Sequence, residues 1–193
     1  MKRIKDNITP KQFKHLMTYL AADESIRRLR KDRLEKSFVL LYLFGLRVNE
    51  LTQFTNTMLH RLFKEKKIKI IAHKQNKQRQ LYLSKSGEKL LKKYFDTKND
   101  TQELIFTSER GNSKRPLSVN SVIRDINSYL HTVFPYENIT SHSFRQTLIT
   151  EMSQKSINTK VIQEVIGHKN ISTTYRYIKV SENDIQEALS IVR

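Results

Sequence analysis

Residues 38–51 read Phe-Val-Leu-Leu-Tyr-Leu-Phe-Gly-Leu-Arg-Val-Asn-Glu-Leu. The seven apolar side chains from Phe38 to Phe44 leave no polar face at helical spacing, so the segment reads as a helix end with core on every side. It is also the longest apolar run in the chain, far short of the roughly 20 residues a membrane-spanning helix requires. Gly45 interrupts the helix and a new turn begins at Arg47, with Glu50 three residues on and on the same face. By itself an Arg47–Glu50 pair is compatible with a solvated surface ion pair or with a positioned guanidinium.

Working toward the N-terminus, Thr9-Pro10 supplies a cap and a first-turn proline and predicts a helix through about Ala21. A second helix is expected from near Asp23 to Ser25, carrying a basic face of Arg27, Arg28, Arg30, Lys31 and Arg33 into the apolar segment. Toward the C-terminus, the alternation Lys67-Ile68-Lys69-Ile70, the polar stretch His73 to Gln78 and then Gln80-Leu81-Tyr82-Leu83 predict a β-hairpin. Its basic tip is expected to hold Lys74, Lys77 and Arg79. Ser86 to Phe95 is amphipathic, a short strand is expected around Leu104 to Phe106, and a turn at Glu109-Arg110-Gly111. Helices are predicted at about 118–133, 141–154, 159–166, 172–178 and 182–192. The predicted fold class is mostly α with a small antiparallel β-sheet. With four Gly and three Pro in the chain there is little linker material, so residues 1–193 read as a single domain ending in a helix over 181–193. In that helix Ile185, Ala188, Leu189 and Val192 form an apolar stripe, which by itself is compatible with packing on the chain's own core or on another surface.

Charge narrows the function. Lys and Arg number 36 against 19 Asp and Glu, a formal charge of +17 on 193 residues. Such a surface repels itself unless an anionic partner answers it; the usual partners are nucleic acid or an acidic membrane surface, and composition favours DNA or RNA. The chain has no cysteine, which excludes disulfides, thiolate nucleophiles and the common structural zinc sites. It has no Gly-rich phosphate loop, no His-Glu-x-x-His and no acidic cluster of the kind that holds paired magnesium ions, so neither a metal nor a cofactor is expected. The charged N-terminus is not followed by an apolar stretch, no membrane association is expected, and a cytoplasmic location with DNA is.

Two further clusters carry chemistry. His142 and Arg145 stand at i and i+3, adjacent on one helix face. Val161, Ile162, Val165 and Ile166 form an apolar helix face that Gly167 caps, with His168 next and Ser172 or Thr173 available to cap another helix. That outline also fits a helix-turn-helix DNA reader with no catalytic activity. Tyr175 and Tyr177 follow; two helical steps rotate a side chain by about 200°, so their hydroxyls cannot face one phosphate together.

Taken in order, Gly45-Leu46-Arg47 with Glu50 and Leu51, the basic hairpin His73 to Arg79, His142-x-x-Arg145, and Gly167-His168 followed nine residues later by Tyr177 resemble the catalytic domain of the tyrosine recombinase (phage integrase) family. The resemblance runs from about Ile8 to the C-terminus. Two departures stand out. Members often have a histidine after the second arginine, where this chain has Gln146. Most also carry a separate N-terminal DNA-clamping domain; none is expected here, so the chain reads as a short member, similar to the small fimbrial-switch invertases, or as a fragment.

The resemblance implies a site-specific recombinase that cleaves and rejoins double-stranded DNA through a covalent 3′-phosphotyrosine, without metal or ATP. It selects Tyr177 as nucleophile, gives Arg47 and Arg145 the phosphate oxygens, and gives His142 and His168 hydrogen bonds to the same phosphate, the former with a part in proton transfer. Lys74 corresponds to the general acid for the 5′ oxygen, although it and Lys77 could both merely touch the DNA backbone. Glu50 orients Arg47, and Lys77 and Arg79 contact DNA. A tetramer on two DNA sites is implied, with the tail docking on a neighbouring protomer, so deletion after Val180 is expected to abolish recombination. A related nicking and resealing activity of the type IB topoisomerase kind is a narrower alternative.

Overall fold

Local signals account for most of the elements in the computed structural model, which describes residues 5–72, 77–96, 98, 100–108, 115–168, 170–175, 185–186 and 189–190. The chain divides into two compact units, residues 1–148 and 149–193.

In the first unit, Thr9 caps α1 (Pro10–Ala22) through a reciprocal pair with Gln12, and Phe13, Leu16, Met17 and Leu20 form its buried face. α2 (Arg28–Phe44) starts later than its sequence predicts. The reason is Asp23, whose carboxylate accepts the Ser25 backbone N–H and hydroxyl and the Tyr129 hydroxyl, which holds 23–25 in a turn. The end of α2 is the centre of the core: Phe38, Val39, Leu40 and Leu41 are fully buried. The Phe38 ring packs 5.9 Å from Phe144 and 6.2 Å from Tyr129. Part of the basic face of α2 is used internally: Arg30 is bound to Asp125 at 2.6 Å, Lys31 donates to the Ala21 carbonyl at 3.0 Å and Arg33 to the Thr107 carbonyl at 3.4 Å.

Beyond Gly45 come a single turn, α3 (Val48–Leu51), and α4 (Asn56–Glu65), which the sequence reading missed. Thr55 caps α4, and Leu59 and Leu62 anchor it. The hairpin pairs β1 (Lys67–Ala72) with β2 (Lys77–Tyr82) in the register Lys67↔Tyr82 to Ala72↔Lys77. One face, bearing Ile68, Ile70, Arg79 and Leu81, is buried. Arg79 therefore lies inside β2 and not at a tip: it stands opposite Ile70, on the core side. α5 (Lys85–Tyr94) is capped by Ser84. The expected strand at 104–106 is reduced to one bridge, Leu104 to Thr55. A two-residue ladder follows it, β3 (Thr107–Ser108) with β4 (Arg115–Pro116), and then α6 (Val119–Val133).

α7 (Ser141–Gln154) contains the division after Leu148. The second unit adds α8 (Thr159–Ile166), capped by Asn158, and α9 (Ile171–Tyr175). Ile149, Ile162 and Ile166 are its buried apolar side chains. Residues 185, 186, 189 and 190 are helical; the rest of the expected terminal helix lies outside the described residues. Among the described residues no helix is long and apolar enough to cross a membrane.

Candidate active site

The site of the first unit is built on the turn that ends α2. Gly45 adopts the left-handed conformation, φ 53° and ψ 42°, and donates its N–H to Leu41. A side chain would be strained there. The reversal buries Leu46 and delivers Arg47 to the start of α3. Glu50, with no solvent exposure, points back at the turn. Its Oε2 accepts the Arg47 backbone N–H at 3.0 Å and its Oε1 accepts Arg47 Nη1 at 2.9 Å.

Two more arginines arrive from distant elements. Arg79, from β2, donates Nη1 to Glu50 Oε2 at 2.9 Å and Nη2 to the Phe44 carbonyl at 2.5 Å. Arg145, from α7, donates Nη1 to the Gly45 carbonyl at 2.9 Å across 100 residues of sequence. Arg79 and Arg145 are buried, whereas 37% of the Arg47 side chain stays exposed. Glu50 thus pairs with Arg47 and Arg79, while Arg145 binds the Gly45 carbonyl, so three guanidiniums gather around a single turn. A cluster with excess positive charge and one arginine open to solvent is suited to receive an anion, and forked guanidinium donors match the two non-bridging oxygens of a phosphodiester.

His142 stands one turn before Arg145 and is exposed on one side. Burial of its other side, and then the positive charges of Arg145, Arg47 and Lys5, hold its imidazole below the usual histidine value. At neutral pH it is a neutral ring that can accept a proton. Gln146, at the departure from the family pattern, donates its amide to the Lys5 carbonyl at 2.9 Å and ties the N-terminal segment to α7.

In the second unit Gly167 is also left-handed, φ 70° and ψ 45°, and closes α8. The following residue, His168, is buried and its main chain is bound twice by Gln163: its N–H donates to the Gln163 carbonyl at 3.1 Å, and its own carbonyl accepts Gln163 Nε2 at 3.0 Å. Its Nδ1 shares a hydrogen bond of 2.9 Å with the hydroxyl of fully buried Thr174. Sequence reading missed Thr174 as the group that sets this ring. Tyr175 is exposed. Tyr177 and Lys74 lie outside the described residues, as does the side chain of Lys77, which opens β2. Among the described residues no group of three His, Asp or Glu side chains could hold a metal ion.

The profile of the phage integrase family matches residues 6–184. The tyrosine recombinase XerA of Pyrococcus horikoshii is 32% identical over 185 residues, covering 93% of this chain and 63% of the relative. The tyrosine recombinase XerC of Leptospira interrogans is 32% identical over 151 residues, covering 76% of this chain and 46% of the relative. The chain thus spans under two thirds of the length of either relative. Among solved structures, the Tn1549 transposon integrase in complex with circular intermediate DNA matches 100% of this chain and 68% of its own, with a TM-score of 0.72 at 17% identity. The fold is that of a tyrosine recombinase catalytic domain: mostly helical, with a small antiparallel sheet.

Proposed function

This chain belongs to the phage integrase family, and from that premise we propose that it is a site-specific recombinase, cutting and rejoining double-stranded DNA through a 3′-phosphotyrosine bond without metal or ATP. The observation that carries the reading is the cationic turn, where the Glu50 carboxylate holds Arg47, the Gly45 carbonyl holds Arg145, and Arg47 keeps an open face.

An unperturbed phenol has a pKa near 10, so only about one in a thousand is ionised at pH 7, and its target is itself an anion. Arg47 and Arg145 hold the non-bridging oxygens and stabilise the charge that builds on them in the pentacoordinate transition state. The Tyr177 oxygen forms its bond to phosphorus while the bond from phosphorus to the 5′ oxygen breaks. His142, neutral at physiological pH, takes the phenol proton, Lys74 protonates the departing 5′ oxygen, and His168 adds a hydrogen bond to the phosphate. The phosphodiester energy is kept in the phosphotyrosine. A 5′ hydroxyl from another strand then reverses the steps, which needs neither ATP nor metal. Glu50 orients Arg47, and Lys77 contacts DNA.

The working form in this reading is a tetramer on two DNA sites inside the cell. Ile185 and Leu189 are exposed, which supports the docking of the terminal stripe on a neighbour. A regulator that only reads DNA through α8 and α9 leaves the buried arginines without a purpose.

The test is a plasmid carrying two copies of a DNA segment recovered with the protein from its host, incubated with the chain in EDTA. New junctions joining the two copies are expected. Relaxation without junctions would mean a topoisomerase-like enzyme, and binding without strand breaks a regulator.

A further inference from the structure

The arginine in β2 does something that its sequence position conceals. Arg79 is on the core face of the hairpin, with 2% of its side chain exposed, where strands ordinarily carry apolar residues such as its neighbours Ile70 and Leu81. Burying a guanidinium is costly, and an apolar side chain of similar volume commonly serves stability as well or better. Arg79 forms two bonds that such a side chain cannot. It donates to Glu50 Oε2, the oxygen that also accepts the Arg47 N–H, and to the Phe44 carbonyl beside Gly45.

We propose that Arg79 is a positioning residue, acting through Glu50 and the end of α2 to fix how Arg47 is presented to the substrate phosphate. The inference rests on the recombinase reading. Without Arg79, Glu50 would be held only by the main-chain N–H and side chain of Arg47, the residue it orients, and its charge would cancel that guanidinium. With a second cation on the other oxygen, Glu50 is anchored from the core, and the group as a whole retains a positive charge for the phosphate. Burial lowers the Arg79 pKa from its ordinary value and Arg47 adds to the fall, while Glu50 opposes it. The second bond holds the Phe44 carbonyl one residue before the carbonyl that receives Arg145, so Arg79 steadies the turn from which both phosphate-binding arginines take their bearings.

The test uses the full chain with Arg79→Met, Arg79→Lys, Glu50→Gln and the Arg79→Met/Glu50→Gln double variant, each checked for native circular dichroism. The readouts are DNA affinity by fluorescence anisotropy and the single-turnover cleavage rate of a nicked suicide duplex at saturating protein. Arg79→Met is expected to slow saturated cleavage by about 100-fold with affinity nearly unchanged. Arg79→Lys, which keeps the charge but reaches one acceptor at a time, should recover part of the rate. The double variant should be no slower than the slower single variant, because both act through Arg47. If Arg79→Met does not fold, the Lys variant carries the comparison on its own, with a rate loss at unchanged affinity as the expected result. Wild-type cleavage rates in folded variants, or a loss confined to DNA affinity as for a direct DNA contact, would overturn the inference. If the wild-type chain itself forms no covalent adduct, it is the recombinase reading that fails.

Discussion

A carboxylate without solvent access, such as Glu50, holds its place only through the donors packed around it, and here they come from the Arg47 main chain, the Arg47 side chain and Arg79. Replacing Glu50 with Ala would remove the carboxylate that faces the buried Arg79 charge. The expected loss is about 3–5 kcal/mol of folding stability, read from urea denaturation. His142 makes a prediction of the opposite kind, about activity. Its pKa is lowered, so the ring stays neutral to more acidic pH than an ordinary histidine, and protonation removes its ability to take the phenol proton. The acidic limb of the single-turnover cleavage profile should therefore fall below about 6.5, the usual histidine value, and His142→Gln should remove that limb. At this scale the spacing of Arg47 and Glu50, or of His142 and Arg145, was legible because helical periodicity makes neighbours of residues three apart. Arg79 was misread because it was grouped with Lys74 and Lys77 by charge. Strand parity puts it on one face with Leu81 and Leu83, and that was the signal to follow. Thr174 gave no such signal: its contact with His168 spans six residues and depends on the left-handed turn at Gly167.

Elements showed their starts more readily than their partners. Thr9-Pro10 and Ser118 each open a helix as capping rules require, whereas the helix expected from Ser86 is capped two residues earlier, by Ser84. α4 was legible but overlooked: Met58, Leu59, Leu62 and Phe63 form an apolar stripe at helical spacing, with Leu59 and Leu62 buried and Met58 and Phe63 packed against the core. Asp23 delayed α2 by local side-chain bonding that a reading of charge periodicity overlooks. The decisive element is the turn at Gly45. Gly45→Ala places a Cβ in the left-handed region at a cost of about 1–2 kcal/mol. If the turn relaxes to escape that strain, the Gly45 carbonyl leaves Arg145. The variant should thus lose more in saturated cleavage rate than in melting temperature, and a cleavage rate equal to wild type would show that Arg145 does not depend on this carbonyl.

For the whole molecule, a charge of +17 was enough to point to nucleic acid, but not to say what is done to it. That came from four separated motifs, and the convergence of Arg145 on the Gly45 carbonyl is a property of the folded chain that no local pattern announces. With so many cations, DNA affinity should fall steeply with salt, by about 10³-fold or more between 50 and 200 mM if six or more phosphates are neutralised. A flat salt response would remove the DNA reading altogether. The central claim is narrower: one phenol, that of Tyr177, becomes covalently joined to DNA. Its most direct measurement is mass spectrometry of the protein digested after trapping on a nicked suicide duplex in EDTA. The account predicts a nucleotide on the peptide containing Tyr177, attached through a 3′-phosphate and absent from Tyr177→Phe. A nucleotide on Tyr175 or any other residue, or cleaved DNA with no protein attached, would contradict it.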